Sequence, residues 1–464
     1  MKKKIALIIF VLVASQIKAQ KNITSITING NAKTKKEVII RELSFNTNTT
    51  YTQKDLQEKV ETSKNNLINL KLFNFVEISS TDKNNNVEIS INVIEKWYIW
   101  PYPILELSDR NFNSWWEEFS ESNYSDFSRL NYGVFFNLEN FRGRNELLKL
   151  KLRKGFKEHF LLEYQTPYFN KSKTLGLNLA FNLFRRKKTF YNTLNNQLIY
   201  YENQKKYTSE DYSIELKFKY RKAIHNTHNL KITAFNTLVS DSIVFKNPKY
   251  LNNNKSSGSY LRTSYEFTND HRDYTIYPLN GHLIHLKLRK YNALTSPVNH
   301  LELLGRTEKH FTIKDVISIG SSFNFKLSSD EEQPYFAQKG FGFQEYVRGY
   351  EYYVIDGQNY WVSRTALKYA LIKKYNFNIP YVKMKQFKKS HHSIYLGFFS
   401  DIGYICDDYN AITNPLQREI LWGKGIALDY ITYYDQILRI EYSTNHLGEK
   451  GVFLHFSNPF GSKN

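Results

Sequence analysis

Leu148-Lys-Leu-Lys-Leu-Arg153 is the stretch that decides the fold. Every second residue is apolar and every residue between is cationic, the period of an extended strand with two opposite faces. The pattern returns in Ile214-Glu-Leu-Lys-Phe-Lys-Tyr220 and in Ile284-His-Leu-Lys-Leu-Arg289, and it holds from about residue 100 onward. A soluble sandwich alternates in the same way, with its charged face toward water. A membrane barrel instead lays the apolar face on lipid and turns the charges into a wet lumen. Alternation alone leaves both open.

The rest of the chain separates them. Residues 1–19 have the layout of a secretory signal: Lys2, Lys3 and Lys4, an apolar run from Ile5 to Ala14, and Ala19 as a small residue for cleavage. That run is about half of the roughly twenty residues that a spanning helix needs, and no longer apolar run follows it. The only cysteine is Cys406, so neither an N-terminal lipid anchor nor an intrachain disulfide is expected. Aromatic residues make up 16% of the chain, with 35 Tyr and 33 Phe, while mean hydropathy is −0.53. An exported chain that is polar on average yet rich in aromatics suits an outer-membrane barrel, whose aromatic girdles mark both interfaces. Strands of roughly ten residues would number about 14 to 18, and the preference for even counts makes sixteen the expectation. The net charge of +20 would suit nucleic acid in a cytosolic protein. On an exported one, basic loops would meet lipopolysaccharide phosphates or anionic clients, and no nucleic-acid partner is expected.

Residues 20–96 read as a small module ahead of the barrel. Ile23, Ile26 and Ile28 before Asn29-Gly30 form a strand and turn. Thr34 is expected to cap a helix from Lys35 to Leu43, with Glu37 completing a capping box. A second helix is expected from about Thr52 to Leu70, then two strands joined by a polar hairpin at Asp82 to Asn86. This β-α-α-β-β order, with Asn69-Leu-Lys-Leu-Phe-Asn-Phe-Val76, resembles a POTRA domain. That resemblance implies a periplasmic module that binds extended polypeptides by strand addition. The segment Trp97-Tyr-Ile-Trp-Pro-Tyr-Pro103 marks the boundary, since prolines interrupt pairing and clustered Trp and Tyr suit the membrane interface. The expected organisation is a signal at 1–19, the POTRA-like module at 20–96, a linker leading into the barrel at 97–127, and the barrel at 128–464.

Five motifs then follow in order: Asn140-Phe-Arg-Gly-Arg-Asn145; Tyr164-Gln-Thr-Pro-Tyr-Phe169; a segment from Asp270 to Gly281 carrying Arg272, Asp273 and Pro278; Val347-Arg348-Gly349-Tyr350; and Phe399-Ser400-Asp401-Ile402-Gly403. As an ordered set they resemble the BamA and two-partner-secretion superfamily, also called the bacterial surface antigen family. The resemblance implies a transmembrane antiparallel β-barrel of about 16 strands behind POTRA units. It further implies that Arg348 sits at the tip of a loop folded into the lumen and pairs with Asp401, with Gly349 permitting the tight tip. A guanidinium cannot lose its charge, so at membrane depth it needs such a partner. Breaking the pair would cost about 3 kcal/mol if it is well buried. A C-terminal assembly signal is expected in Glu449, Gly451, Leu454 and Phe456, with Ser457 to Asn464 beyond it. BamA-like relatives carry several POTRA units and secretion partners two, whereas this chain has room for one.

No enzyme signature is present. His225-x-x-His228 and His391-His392 lack the companions typical of zinc, and neither a nucleophile elbow nor a phosphate-binding loop occurs. No cofactor, metal or catalytic residue is expected. The resemblance implies an assembly or translocation factor in the outer membrane of a Gram-negative bacterium, with its N-terminal domain in the periplasm. Its partners would be unfolded outer-membrane or secreted proteins, membrane lipid and lipopolysaccharide, and possible accessory subunits. Two alternatives stand beside it: a dedicated secretion pore for one exported protein, and a passive porin or structural surface protein. In the family a weak seam joins the first and last barrel strands, expected here between a strand beginning near Arg129 and one ending near Phe456.

Overall fold

The computed structural model describes residues 20–83, 86–107, 112–125, 130–155, 157–203, 205–296, 298–329, 333–407 and 414–457. The expected signal, Arg129 and the tail after Ser457 lie outside them. The chain divides into two compact units, one built on the residues up to Trp97 and one beginning at Tyr98.

The first unit contains β1 (Gln20–Asn29), α1 (Lys36–Ile40), β2 (Thr50–Thr52), α2 (Gln53–Asn69), β3 (Phe73–Lys83) and β4 (Asn86–Glu95). Its sheet runs in the order β2-β1-β4-β3, with β1 parallel to β4. Ile23, Ile39, Leu67, Val87, Ile89 and Ile91 form its buried centre. Thr52 caps α2 by accepting from the Asp55 N–H at 3.2 Å. The expected box at Thr34 is not formed. α1 starts one residue later, at a Lys35 N-cap without a side-chain bond, and Thr34 instead donates its N–H to Glu95 Oε1 at 2.6 Å. The short strand β2 is an addition to the expected order. It covers Gln20 to Asn22 of β1, and Thr49 and Asn48 carry the backbone bonding on to Ile23.

The second unit is a single antiparallel sheet of sixteen strands. They are β5 (Ile99–Leu107), β6 (Leu130–Phe141), β7 (Glu146–Gly155), β8 (Lys157–Thr166), β9 (Leu175–Arg186), β12 (Ser209–Tyr220), β13 (Asn226–Val239) and β14 (Ser257–Asp270), continuing with β15 (Gly281–Ala293), β16 (Leu301–Ile313), β17 (Ile317–Ser328), β18 (Asn359–Asn378), β19 (Lys389–Cys406), β20 (Leu421–Thr432), β21 (Gln436–Asn445) and β22 (Lys450–Ser457). β10 (Lys188–Leu194) and β11 (Gln197–Glu202) form a separate hairpin. No helix among the described residues is long and apolar enough to cross a membrane.

The alternation seen in the sequence sets the two faces. Leu152, Ile214, Leu286 and Phe218 are exposed, while Lys151 and Arg153 are 4% exposed. Apolar side chains outside and charges inside invert a soluble protein, and only a lipid exterior with a polar lumen makes that favourable. The inward charges are paired across strands: Lys149 with Glu163 at 3.1 Å, Lys231 with Glu215 at 3.2 Å, Lys287 with Glu266 at 2.6 Å and Arg289 with Glu302 at 2.7 Å.

The barrel begins earlier than expected. Ile99–Leu107 was assigned to the linker because of Pro101 and Pro103, yet it pairs with β6 from Ile99↔Leu138 to Leu107↔Leu130. Proline is tolerated there because β5 ends the strand order, so a proline nitrogen can face away from β6. The seam strand is therefore β5 and not one starting near Arg129. β5 and β22, with 9 and 8 residues, are the shortest of the sixteen. A helix, α3 (Phe112–Glu121), follows β5 and packs against β22.

Candidate functional site: a loop locked inside the barrel

The site lies where the connection between β17 and β18 turns back onto the inner wall. Strand register builds the receiving surface. Arg364 on β18 faces Asp401 on β19, Asp401 faces Gly423 on β20, and Gly423 faces Asn445 on β21. One transverse row across four strands thus offers a cation, an anion, a gap and an amide.

The loop engages all four. Arg348 donates from Nε to Asp401 Oδ2 at 2.8 Å and from its terminal nitrogen to Oδ1 at 2.5 Å, and its backbone N–H reaches Oδ2 at 3.2 Å. This is the bidentate fork that only arginine provides. Its guanidinium lies 3.8 Å from the centre of the Phe399 ring, a cation–π contact. Arg348 is 7% exposed and Asp401 is 0% exposed. Arg364 holds the other end of the turn, bonding Glu345 at 2.8 Å and the Tyr346 carbonyl at 2.6 Å, while its Nε stays 3.8 Å from Asp401. The Gly349 carbonyl accepts from the Asn445 amide at 2.9 Å.

Three glycines permit this approach. Gly349 has φ +91°, a left-handed conformation costly for other residues. A Cβ on Gly423 would sit 1.7 Å from the Arg348 carbonyl oxygen, and one on Gly403 would sit 2.6 Å from Val347 Cγ2. Val347 itself is fully buried in a cluster with Phe341, Tyr350, Ile355, Ile405 and Leu421. The Tyr350 hydroxyl meets His446 Nδ1 in the turn between β21 and β22.

The segment from Asp270 to Gly281 forms a second intrusion, at the other end of the strands. Arg272 is held by Asp270 at 2.7 and 2.9 Å and by Glu308 at 3.0 Å. Asp273 fixes the turn by accepting from the N–H groups of Tyr274 and Leu279. Gly281, at φ +101°, lets β15 start beneath the His271 carbonyl. The turn reaches across the lumen: the Tyr277 hydroxyl donates to Asp429 on β20 at 2.7 Å, and Lys368 on β18 lies 3.8 Å over the Tyr277 ring and 3.4 Å from the Pro278 carbonyl. Asp429 is in turn clamped by Arg439.

At the C-terminal segment Glu449 lies in the turn before β22, accepting from Tyr353 and Asn445. Gly451, Leu454 and Phe456 are paired residues of β22, with Phe456 exposed on the outer face. These residues join the site only through Glu449. Asn140-Phe-Arg-Gly-Arg-Asn145 and Tyr164 to Phe169 do not take part in it. Sequence reasoning missed Arg364, Glu345, Gly423 and Asn445. Their signal is a register coincidence, invisible until the strands are paired.

Residues 140–437 match the family described as Omp85 superfamily domain, and residues 22–96 match the POTRA family described as surface antigen variable number repeat. The chain belongs to the Omp85 superfamily. Among solved structures it resembles BamA from Haemophilus ducreyi lacking POTRA domains 1–3, at 15% identity and TM-score 0.51, over 94% of this chain and 84% of that one. It also resembles CdiB from Escherichia coli, at 10% identity and TM-score 0.54, over 94% of this chain and 75% of that one. No curated protein matches it. At these identities the likeness establishes the fold: an outer-membrane barrel with a POTRA domain at its N-terminus.

Proposed function

We propose that this Omp85-superfamily barrel is an assembly factor that receives unfolded polypeptides at its single POTRA domain, on the periplasmic side, and inserts them into the outer membrane through its seam. One observation carries the reading. β5 and β22 end the strand order, their described spans are its two shortest, and β5 carries two prolines. Pro101 and Pro103 lack N–H groups, so β5 can pair with β6 only if both nitrogens face the free edge. That edge is therefore short of two donors. A client strand with its own free N–H and C=O groups would satisfy part of an opened edge at little cost, without an external energy source. β3 ends the POTRA sheet, and strand addition at such a terminal strand would offer the same chemistry to an extended chain. The exposed apolar face of the strands supplies the contact with lipid, and basic loops the contact with lipopolysaccharide. No catalytic step is required.

Passage through the lumen, as in a dedicated secretion pore, is the second reading. The locked loop and the turn bearing Tyr277 both occupy the path it would need. Depletion of the protein followed by quantification of outer-membrane and secreted proteomes tests the choice. Broad loss of barrel proteins is expected. Loss of one exported protein alone would transfer the function to secretion, and no change in either proteome would refute both.

A further inference from the structure

We propose that Glu351, Glu441 and His455 form a binding site for one divalent transition-metal ion of the Zn²⁺ type, clipping the locked loop to the last two strands. The site is independent of which client the barrel serves. Glu351 follows the Val347–Tyr350 segment, Glu441 points inward from β21, and His455 points inward from β22. His455 Nε2 lies 3.9 Å from Glu351 Oε1 and 3.9 Å from Glu441 Oε2, and one donor atom from each of the three residues lies within 4.8 Å of the others. A tetrahedral ion with bonds of about 2.1 Å sets its ligands about 3.4 Å apart, so modest side-chain closure would complete it.

Three observations point to a cation. Glu441 is 0% exposed, yet neither of its carboxylate oxygens has a hydrogen-bond partner. An ionised carboxylate so placed is strongly unfavourable unless a positive charge meets it. Second, charges around the cluster do not balance without one. The cations that act on Glu441 are Arg348 and Arg439, and each is already committed, to Asp401 and to Asp429, as Arg364 is to Glu345. Neither arginine is therefore free to meet the Glu441 carboxylate, and a divalent ion would supply that charge. Third, the donors are held in place. Glu351 Oε2 accepts from the Gly349 N–H at 2.9 Å, turning Oε1 toward the others, and the His455 ring stacks on Tyr346 at 6.0 Å with planes 13° apart. Two carboxylates and an imidazole suit Zn²⁺ or its neighbours, while Ca²⁺ would need six or more oxygens.

The sequence predicts no metal site, because the three residues are about ninety positions apart or adjoin no other ligand. Occupancy would tie the loop to β21 and β22, beside the seam, with three bonds that depend on the ion.

The full-length protein in detergent micelles, stripped with EDTA and dialysed, is titrated with ZnCl₂ by calorimetry and the bound metal counted. Cobalt(II) substitution then reports ligand geometry through its visible absorption. One ion per chain is expected, with a tetrahedral cobalt spectrum. Glu441→Gln and His455→Ala should each weaken binding at least about tenfold. His455 is partly exposed, so His455→Ala retains a heat-modifiable, folded barrel even if Glu441→Gln does not. Equal zinc binding by wild type and the His455→Ala chain, or a cobalt spectrum typical of the aqueous ion, would overturn the site.

Discussion

Asp401→Asn should release the loop more completely than Arg348→Ala, although both break the same pair. In Arg348→Ala the buried carboxylate keeps the residue-348 N–H, at 3.2 Å, and Arg364 Nε, at 3.8 Å. Removing one partner of a buried pair costs about 3–5 kcal/mol, and these remaining partners place the loss at the low end. The lost stacking on Phe399 adds about 1 kcal/mol, offset in part as water enters. A net loss of about 3 kcal/mol raises the open population of the loop by about a hundredfold. In Asp401→Asn the neutral amide leaves the guanidiniums of Arg348 and Arg364 facing one another without an anion between them. Their repulsion adds to the loss, about 1 kcal/mol more at the effective dielectric of a partly wet site. Chymotrypsin reads this directly, because Tyr346, Tyr350, Tyr352 and Tyr353 lie in the segment and cleavage tracks the open fraction when reclosing is fast. Heat modifiability on gels confirms that the barrel itself stays folded. Cleavage of Arg348→Ala within about threefold of wild type, or a milder effect for Asp401→Asn, would refute the electrostatic account of the lock.

Four further outcomes are expected. Gly423→Ala should prevent docking altogether, because its Cβ would overlap the Arg348 carbonyl, whereas Gly349→Ala, whose Cβ would make ordinary contacts at 3.4 Å but at φ +91°, should cost only about 1–2 kcal/mol; chymotrypsin rates compare them. Val347→Cys with Gly403→Cys, in a Cys406→Ser background, places two thiols within disulfide reach. Oxidation should leave assembly of client barrels intact, and its abolition, reversed by reductant, would favour passage through the lumen. Pro101→Val with Pro103→Val should restore two edge donors, raise the temperature at which the barrel loses its folded gel mobility, and slow client insertion; unchanged mobility would count against the weak seam. Burial raises the Asp356 carboxyl, in the same loop, to about 7. A raised acid binds its proton more tightly when folded, so the Asp356 contribution to docking is fullest below pH 4 and is lost as pH rises through 7. Proteolysis across that range should show the slope, and Asp356→Asn should flatten it.

The fold was legible because membrane strands write their environment into every second residue. Leu148 to Arg153 needed no partner to declare two faces. The lock was half legible. Arg348 and Asp401 stand in short motifs with glycines nearby, so the pair could be named before the structure. What the motifs could not carry is the register row that receives the loop. Arg364, Gly423 and Asn445 matter only because three strand pairings align them with Asp401, and register is a property of the sheet. The same reason hid Glu351, Glu441 and His455. The misplaced barrel start has a different cause. Pro101 and Pro103 argue against a central strand, and the inference failed because β5 is a terminal strand, where both nitrogens can face away from β6. Thr34 failed as a cap because Glu95, a strand residue far along the chain, bonds its N–H instead.

The prolines and the lock point to one division of labour within the barrel. Fourteen of the sixteen strands bond to a neighbour on both sides, and their lumenal charges are cross-linked, so the wall resists opening almost everywhere. On the proposed function, the weak line runs between β5 and β22, the two ends of the strand order. The docked loop bonds to β18, β19, β20 and β21, and its Tyr352 ring meets Phe453 of β22 at 5.4 Å with the planes 50° apart. It therefore stiffens the β22 bank of the seam. Opening between β5 and β22 then needs no disruption of Arg348 and Asp401, whereas passage through the lumen does. Damage to the lock should on this account disorder the β22 bank, where a client strand would have to register, and so reduce insertion without opening a free pore. Ion conductance in planar bilayers separates these effects. Arg348→Ala should lose insertion activity with little gain in conductance, and a large steady conductance together with normal insertion would show that the loop is a plug and nothing more.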